Sequence, residues 1–456
     1  MKINRQRTLT VAVGPALLAC VAASAVNANA QTTPAAETRK KIENIVVVGN
    51  PLGETDARDV VSPVTVLSGE ELMMRRGNTL GETLNGLPGV SATWFGPNSG
   101  RPVIRGLDGD RVRVLTNLGS SLDASSLSFD HNPSIDPLII ERVEVLRGPA
   151  ALLYGGTAIG GVVNVIDNRI PANAITGPRG AIEVRGGGAD RERAVAALLE
   201  AGNGVVAVHA DGFTRSTDDY RVPASTGVRS PVVNSSADAS SGALGASVQF
   251  AGGKGTAGMS HSNYQSNYGT VAEETVRIDM KQTRTAAEFN LRNLGGALID
   301  GAFIKASQSD YKHIEFEGPN AGTTFKNKGS DVRAEVKHAK IGAMQGVVGF
   351  QSEQFEFAAL GEEAFVPETK TTNRGVFVYE EIAAGPLKLA LGARVERSHI
   401  ESKGSTGDAP VRFGGASIKE FNLASASVGA SYRISKQTSV TSNLALNERG
   451  PSANSS

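Results

Sequence analysis

The run Ser128-Phe129-Asp130-His131-Asn132-Pro133-Ser134-Ile135-Asp136-Pro137 sets an imidazole beside a carboxylate in a stretch rich in turn residues. One nitrogen donor and one carboxylate oxygen suit a borderline divalent cation such as Zn²⁺. An ordinary hydrogen-bonded loop pair is the competing reading for Asp130 and His131. Asp136 followed by Pro137 reads as a helix N-cap with proline at the first position. The other histidines are scattered: there are six in the chain. His209 alternates onto the polar face of its strand together with Asp211, which points it to an interior. His338 shares parity with Val332 and Val336, which points it to an interface. His261, His313 and His399 stand alone, and solvated loop or rim positions are expected for them.

Other chemistries find little support. There is no Ser/His/Asp order, paired-carboxylate motif or H-E-x-x-H helix, so no enzyme is expected. Gly253-Lys254-Gly255-Thr256-Ala257-Gly258 satisfies G-x-G-x-x-G, but no helical pattern follows it, and a hairpin turn explains the glycines. The formal net charge is zero, which gives no electrostatic footprint for nucleic acid.

The elements that must position Asp130 and His131 fall into segments along a 456-residue chain. Residues 1–30 read as a secretory signal: Lys2, Arg5 and Arg7, an apolar core from Leu9 to Val26, and a small-x-small site at Ala28-Asn29-Ala30. Cleavage there removes the one cysteine, Cys20, and with it any disulfide or Cys-based zinc site. Residues 31–50 read as a polar linker ending in the β-branched run Ile45-Val46-Val47-Val48, and 51–170 as a small α+β domain. In it, Ser68-Gly69-Glu70-Glu71 predicts a capping box opening a helix that ends near Gly77. Leu80, Leu84 and Leu87 predict a second helix, stopped by Pro88-Gly89. Pro102–Gly106 and Arg111–Leu115 read as strands around the turn 107–110. From 178 to 456, short alternating segments recur between Gly/Asn/Asp/Ser-rich turns, about a dozen of them. Leu387, Leu389, Leu391, Ala393 and Val395 face one way, and Lys388, Arg394 and Glu396 the other. No stretch past the N-terminus is apolar enough to span a bilayer as a helix, which leaves a β-barrel open. A soluble β-sandwich would show the same alternation.

The stretch 143–164 settles the reading. Val143-Glu144-Val145-Leu146-Arg147-Gly148-Pro149 leads through Leu153-Tyr154-Gly155 to Gly160-Gly161-Val162-Val163-Asn164. It resembles the end of the plug domain of TonB-dependent outer-membrane receptors, and Arg105-Gly106 with Arg113 resembles an earlier plug segment. The resemblance implies an α+β plug followed by an antiparallel transmembrane β-barrel of twenty-two strands. It implies no permanently bound cofactor, and a place in the outer membrane with the plug facing the periplasm. Ile45 to Val48 would be the TonB box, adding as a strand to an energy-coupling protein driven by an inner-membrane motor complex. The barrel assembly machinery and outer-membrane lipid would be further partners.

Within the family the plug looks most like the zinc-uptake branch, in which an Asp-His pair at this place contributes to metal binding. The run Asp218-Asp219-Tyr220-Arg221-Val222-Pro223 resembles that branch too. Carried over, Asp130 and His131 become the plug ligands for imported Zn²⁺, although the His-rich loop common in that branch is missing here. A siderophore or other small metal chelate is the second substrate class. Asn447-Glu448-Arg449-Gly450-Pro451-Ser452 resembles a mid-barrel motif, so the chain is expected to hold only part of the barrel. A non-transporting product that keeps only the plug's coupling function is the alternative of another class.

Overall fold

Two β-systems with opposite demands are built in sequence. The computed structural model describes residues 46–451 except 48, 50, 51, 53, 54, 57–59, 224–228, 362–363, 406–411 and 436–437. The described residues fall in one compact unit, Ile45–Ser456. The signal segment, the linker up to residue 45, and Val48 lie outside the described residues. Val46–Val47 form a short strand paired antiparallel with Thr55–Asp56.

The plug is centred on a five-stranded mixed sheet in the order Val64–Ser68, Arg142–Leu146, Gly161–Ile166, Val112–Thr116, Gly119–Ser120. Val112–Thr116 and Gly161–Ile166 run parallel, and the other pairs are antiparallel. The central strands are buried on both faces, which accounts for the unbroken run Val162, Val163, Asn164, Val165. Leu67, Leu72, Leu80, Leu84, Ile104, Val143 and Val145 pack as one apolar core against the two helices.

Two local expectations are corrected. The first helix spans Gly69–Arg75, and the Ser68 hydroxyl makes no cap bond. Ser68 is the last residue of a paired strand, so the ladder sets its backbone and the side chain cannot turn onto the helix. The second helix is only Leu80–Leu84, and its cap is Thr79, whose hydroxyl accepts from the Glu82 N–H at 3.1 Å. The strands expected around the turn at 107–110 are both present, and each pairs elsewhere. Pro102–Ile104 pairs with Val90–Ala92, whereas Val112–Thr116 joins the main sheet.

Thirteen strands, from Thr176–Gly186 to Ser439–Leu446, then form one antiparallel sheet in which each pairs with its sequence neighbour. The outermost strands are not paired to each other, so the described wall is open. Side chains alternate as expected: Val395 and Leu391 are exposed on the outer face, while Arg394 and Ser398 are buried against the plug. That alternation sends apolar groups to the outer face and polar groups to the lumen, and the backbone pairs between adjacent strands everywhere except along the two outer edges. The connections also divide. The longest, 218–236 and 403–416, sit at one end, and turns as short as 204–205 and 385–386 close the other. Gly253 lies in one of these turns, whereas Gly255 and Gly258 of the same motif lie within the strand Gly255–Gly269, so a hairpin turn accounts for only one of the three glycines. No described helix is long and apolar enough to cross a membrane, which says nothing about strands.

The plug fills the lumen and is tied to the wall by charge. Arg113 reaches Glu353 at 2.9 Å, and Arg215 holds Asp136 at 2.7 Å. Burial pushes the Asp136 carboxyl above its ordinary range, although Arg215 pulls the other way. Arg333 and Arg394 each donate to the Leu153 carbonyl at 3.0 Å.

Candidate metal centre

The loop carrying His131 is stiffened before it meets the wall. Asp123 accepts from the Ser125 N–H at 2.9 Å and its hydroxyl at 2.6 Å, and from the Ser134 N–H and hydroxyl at 3.2 Å. Asp136 caps the turn Pro137–Ile139, as expected, by accepting from the Leu138 N–H at 3.0 Å. Between these anchors, the Tyr268 hydroxyl from the wall donates to the Asp130 carbonyl at 3.0 Å and accepts from the Asn132 N–H at 2.9 Å. Asp130 and His131 therefore sit in a clamped segment.

His131 is 1% exposed, and it faces His313 and Glu315 on the strand Ile299–Glu317. One donor atom from each of the three lies within 4.8 Å of the others. The His131 Nδ1 is 3.1 Å from the Ala124 carbonyl, which can only accept, so Nδ1 carries a proton. Its Nε2 stands 2.9 Å from the Glu315 Oε1. In the neutral imidazole those are two acceptors face to face, an arrangement that requires a proton or a cation between them. The His313 Nε2 is buried without a hydrogen-bond partner, 3.8 Å from the same Oε1. Its Nδ1 meets the Tyr311 hydroxyl at 2.7 Å, which orients the ring. Metal–ligand bonds of about 2.1 Å in a tetrahedral zinc site put donor atoms roughly 3.4 Å apart. The separations of 2.9 and 3.8 Å straddle that spacing. Phe325 stacks on His313 with centroids 4.5 Å apart and meets His131 at 5.0 Å, giving the site one apolar side.

His131, the candidate ligand named from sequence, is thus brought together with His313 and Glu315. The Asp130 carboxylate accepts from the Ser128 hydroxyl and does not converge on the other donors, so its reading as a ligand rests on nearness alone. The expectation of a solvated rim position for His313 is overturned: the side chain is fully buried. Glu315 was not singled out in the sequence. A signal was present, because Tyr311, His313 and Glu315 alternate onto one strand face. No local pattern could join that face to a loop 184 residues earlier. His261 and His399 are surface groups as expected, bonded to Thr285 and to Glu401 and Glu420.

His209 lines the lumen, as its parity predicted, but its two nitrogens are taken by Glu200 at 3.1 Å and Asp211 at 2.9 Å. Arg169 closes the group with a 2.8 Å bond to Asp211.

The motif residues have structural work of their own. Glu144 is fully buried and accepts from the Gly49 N–H at 2.7 Å, and the Tyr154 hydroxyl donates to the Gly49 carbonyl at 2.9 Å. Burial pushes the Tyr154 phenol up, so it remains a donor. Asn164 accepts from the Leu118 N–H at 2.8 Å. Arg147 donates to the Pro88 carbonyl at 2.5 Å. Gly148, just before Pro149, has φ 76°, and Gly155 has φ 110°, conformations that favour glycine. At Gly160 and Gly161 a Cβ would meet the Arg111 and Leu146 carbonyls within 2.9 Å, so the glycines permit close strand packing. Arg105 and Gly106 both have positive φ, at 51° and 79°.

Comparison with known proteins agrees with this architecture. Residues 56–162 match the TonB-dependent receptor plug domain, and residues 200–456 match the TonB-dependent receptor-like β-barrel. A vitamin B12 transporter, BtuB, of Photobacterium profundum is 30% identical over 186 residues, 39% of this chain and 30% of that protein. A hemin receptor of Yersinia pestis is 30% identical over 147 residues, 32% of this chain and 21% of that protein. The chain thus matches less than a third of the length of these curated relatives. Among solved structures, the copper transporter OprC superposes with a TM-score of 0.74 at 18% identity, covering 86% of this chain and 63% of that one. The ferric citrate transporter FecA gives 0.62 at 15% identity, covering 88% and 65%. With its plug in place and thirteen strands of wall around it, the chain belongs to the TonB-dependent receptors.

Proposed function

We propose that the protein takes up a divalent transition-metal ion, zinc first, into the periplasm with energy delivered through TonB. The observation that carries this reading is the convergence of His131 on the plug with His313 and Glu315 on the wall. A site divided between a movable plug and a fixed wall holds its ion only while the two are seated together. Displacing the plug removes one of three ligands and releases the cargo. The donor set is two imidazoles and a carboxylate, with no thiolate or thioether among the three, which suits Zn²⁺ over soft Cu(I).

The path from coupling segment to ligand is short. Gly49, just beyond the Val46–Val47 strand, is pinned by Glu144 and Tyr154. Glu144 lies on the strand Arg142–Leu146, which the turn Pro137–Ile139 joins to the loop bearing His131. A pull on the TonB box residues Ile45 to Val48 would act on that sheet, and through it on the loop.

A small aromatic metal chelate is the second reading, favoured by an apolar patch next to the site. Trp94 and Phe129 are 63% and 52% exposed, and Phe129 stacks on Phe95 with centroids 6.0 Å apart. Calorimetric titration of the whole detergent-solubilised chain with Zn²⁺ tests the first reading. Tight binding lost in both His131→Ala and His313→Ala supports it; wild-type heat that neither change alters sinks it.

A further inference from the structure

Beneath the three converging donors lies a cavity of about 190 Å³ between plug and wall. Its lining includes Asp123, Asn327, Glu353 and Asn373, together with Arg101 and Arg113. We propose that this chamber is a second cation site on the import route, which receives the ion from His131, His313 and Glu315 and holds it with part of its water shell. The inference rests on the metal-uptake reading for its direction of travel.

Position comes first. In the wall, His313 pairs with Phe325, and Asn327 is two residues farther along the same strand. Glu353 pairs with Asp331, six residues beyond Phe325, and Asn373 pairs with Glu353. At roughly 3.4 Å per residue, the chamber begins about 7 Å and ends about 20 Å from the His313 level. That displacement is toward the end of the sheet closed by short turns, the periplasmic side in barrels of this kind. The upper site and the chamber are separated by one peptide unit. The Ala124 carbonyl contacts the His131 Nδ1, and the preceding carbonyl, of Asp123, accepts from the Asn327 Nδ2 at 2.9 Å.

The second observation is an unused ligand atom. Because the Asp123 carbonyl can only accept, the Asn327 amide must turn its NH₂ toward it, which fixes where the oxygen goes. Asn327 is 6% exposed and its Oδ1 has no hydrogen-bond partner. A buried amide oxygen left unbonded is unfavourable, so it calls for a water or an ion.

The chemistry of the lining suits transit. The Glu353 charge is answered by Arg113 and the Asp110 charge by Arg449, while Asp123 is held by Ser125 and Ser134, so each lining carboxylate already has partners. The Asn327 amide oxygen remains, a neutral ligand that fits a partly hydrated cation held loosely. A conducting path needs sites strong enough to enter and weak enough to leave. The volume would hold about six waters, whereas drug-sized ligands occupy roughly 300–1,000 Å³.

The experiment is Zn²⁺ calorimetry on the whole chain in detergent, with diffraction at the zinc absorption edge on zinc-soaked crystals. Two classes of zinc are expected, a tight one lost in His131→Ala and a weak one lost in Asn327→Leu. Asn327→Asp, nearly isosteric and folded where the leucine variant fails, should tighten the weak class about tenfold by adding a charge. An anomalous peak beside Asn327 would place the weak ion. A weak class that neither Asn327 variant changes, or no peak in the chamber, overturns the proposal and leaves a water-filled space. The metal-uptake reading falls separately, if the tight class is absent or ignores His131→Ala.

Discussion

The seam between plug and wall holds two buried groups built from the same parts, and they differ in whether their charges are complete. Around His209, two carboxylates flank the ring, Arg169 bonds Asp211, and Arg179 meets Glu200 at 2.6 Å. Each donor has an acceptor and each charge has a partner, as a structural latch requires. Around His131, two imidazoles share one carboxylate, and the His313 Nε2 has no hydrogen bond. Both groups centre on a buried imidazole. What separates a latch from a ligand site is therefore the unfilled donor capacity of the second group, which a count of histidines would not show.

The largest expected effect tests that distinction directly. His131→Ala should weaken Zn²⁺ binding roughly a thousandfold, since a structural zinc set supplies about 10–16 kcal/mol and each ligand a share of it. His209→Ala should leave zinc affinity unchanged in the same calorimetric titration. If both variants lose zinc alike, the comparison is wrong and the seam acts as one unit.

Arg169→Ala should produce the reverse pattern. It leaves Asp211 buried without its arginine, a loss of about 3 kcal/mol or more. Thermal melting in detergent should fall by several degrees while the zinc isotherm stays put. A lowered affinity for zinc would show instead that the latch positions the loop carrying His131.

Sequence reading reached the outline of this seam and stopped at its contacts. The motif at 143–164 and the strand alternation made the plug and wall legible, because strand period and glycine placement are local properties. Asp136 as a cap and His131 as a candidate ligand were legible for the same reason. His313 looked isolated because its partners are remote: His131 belongs to the plug, and Phe325 comes from the next strand. The Thr79 cap was within reach, since Thr79 and Glu82 have capping-box spacing, but the leucines nearby drew the reading to packing alone. Ser68 failed for the opposite reason, a local signal overruled by the sheet.

A subtler test of the ligand group is Tyr311→Phe. It removes the hydroxyl that meets the His313 Nδ1 but keeps the ring in the core. Loss of a group that orients a metal ligand costs about 10–100-fold in affinity. A value near the lower figure is expected, because Phe325 still stacks on the imidazole. No change would mean that packing alone sets the ring, and that His313 is held like any core aromatic.

The smallest effect is expected at Asn168, where the saturated group has a member to spare. Its Nδ2 donates to the Glu200 Oε1 at 3.1 Å, and its backbone has φ 54°. Glu200 keeps Arg179 and His209 when this bond is lost. Asn168→Gly keeps access to positive φ and should lower stability by about 1 kcal/mol, the worth of one hydrogen bond. Asn168→Ala loses the same bond and must also hold a Cβ in the left-handed region, which costs about 1–2 kcal/mol more. The two melting curves should therefore differ, with alanine below glycine and both leaving zinc binding unchanged. Were glycine as harmful as Arg169→Ala, the group around His209 would be no redundant latch but a network that fails when any one member is removed.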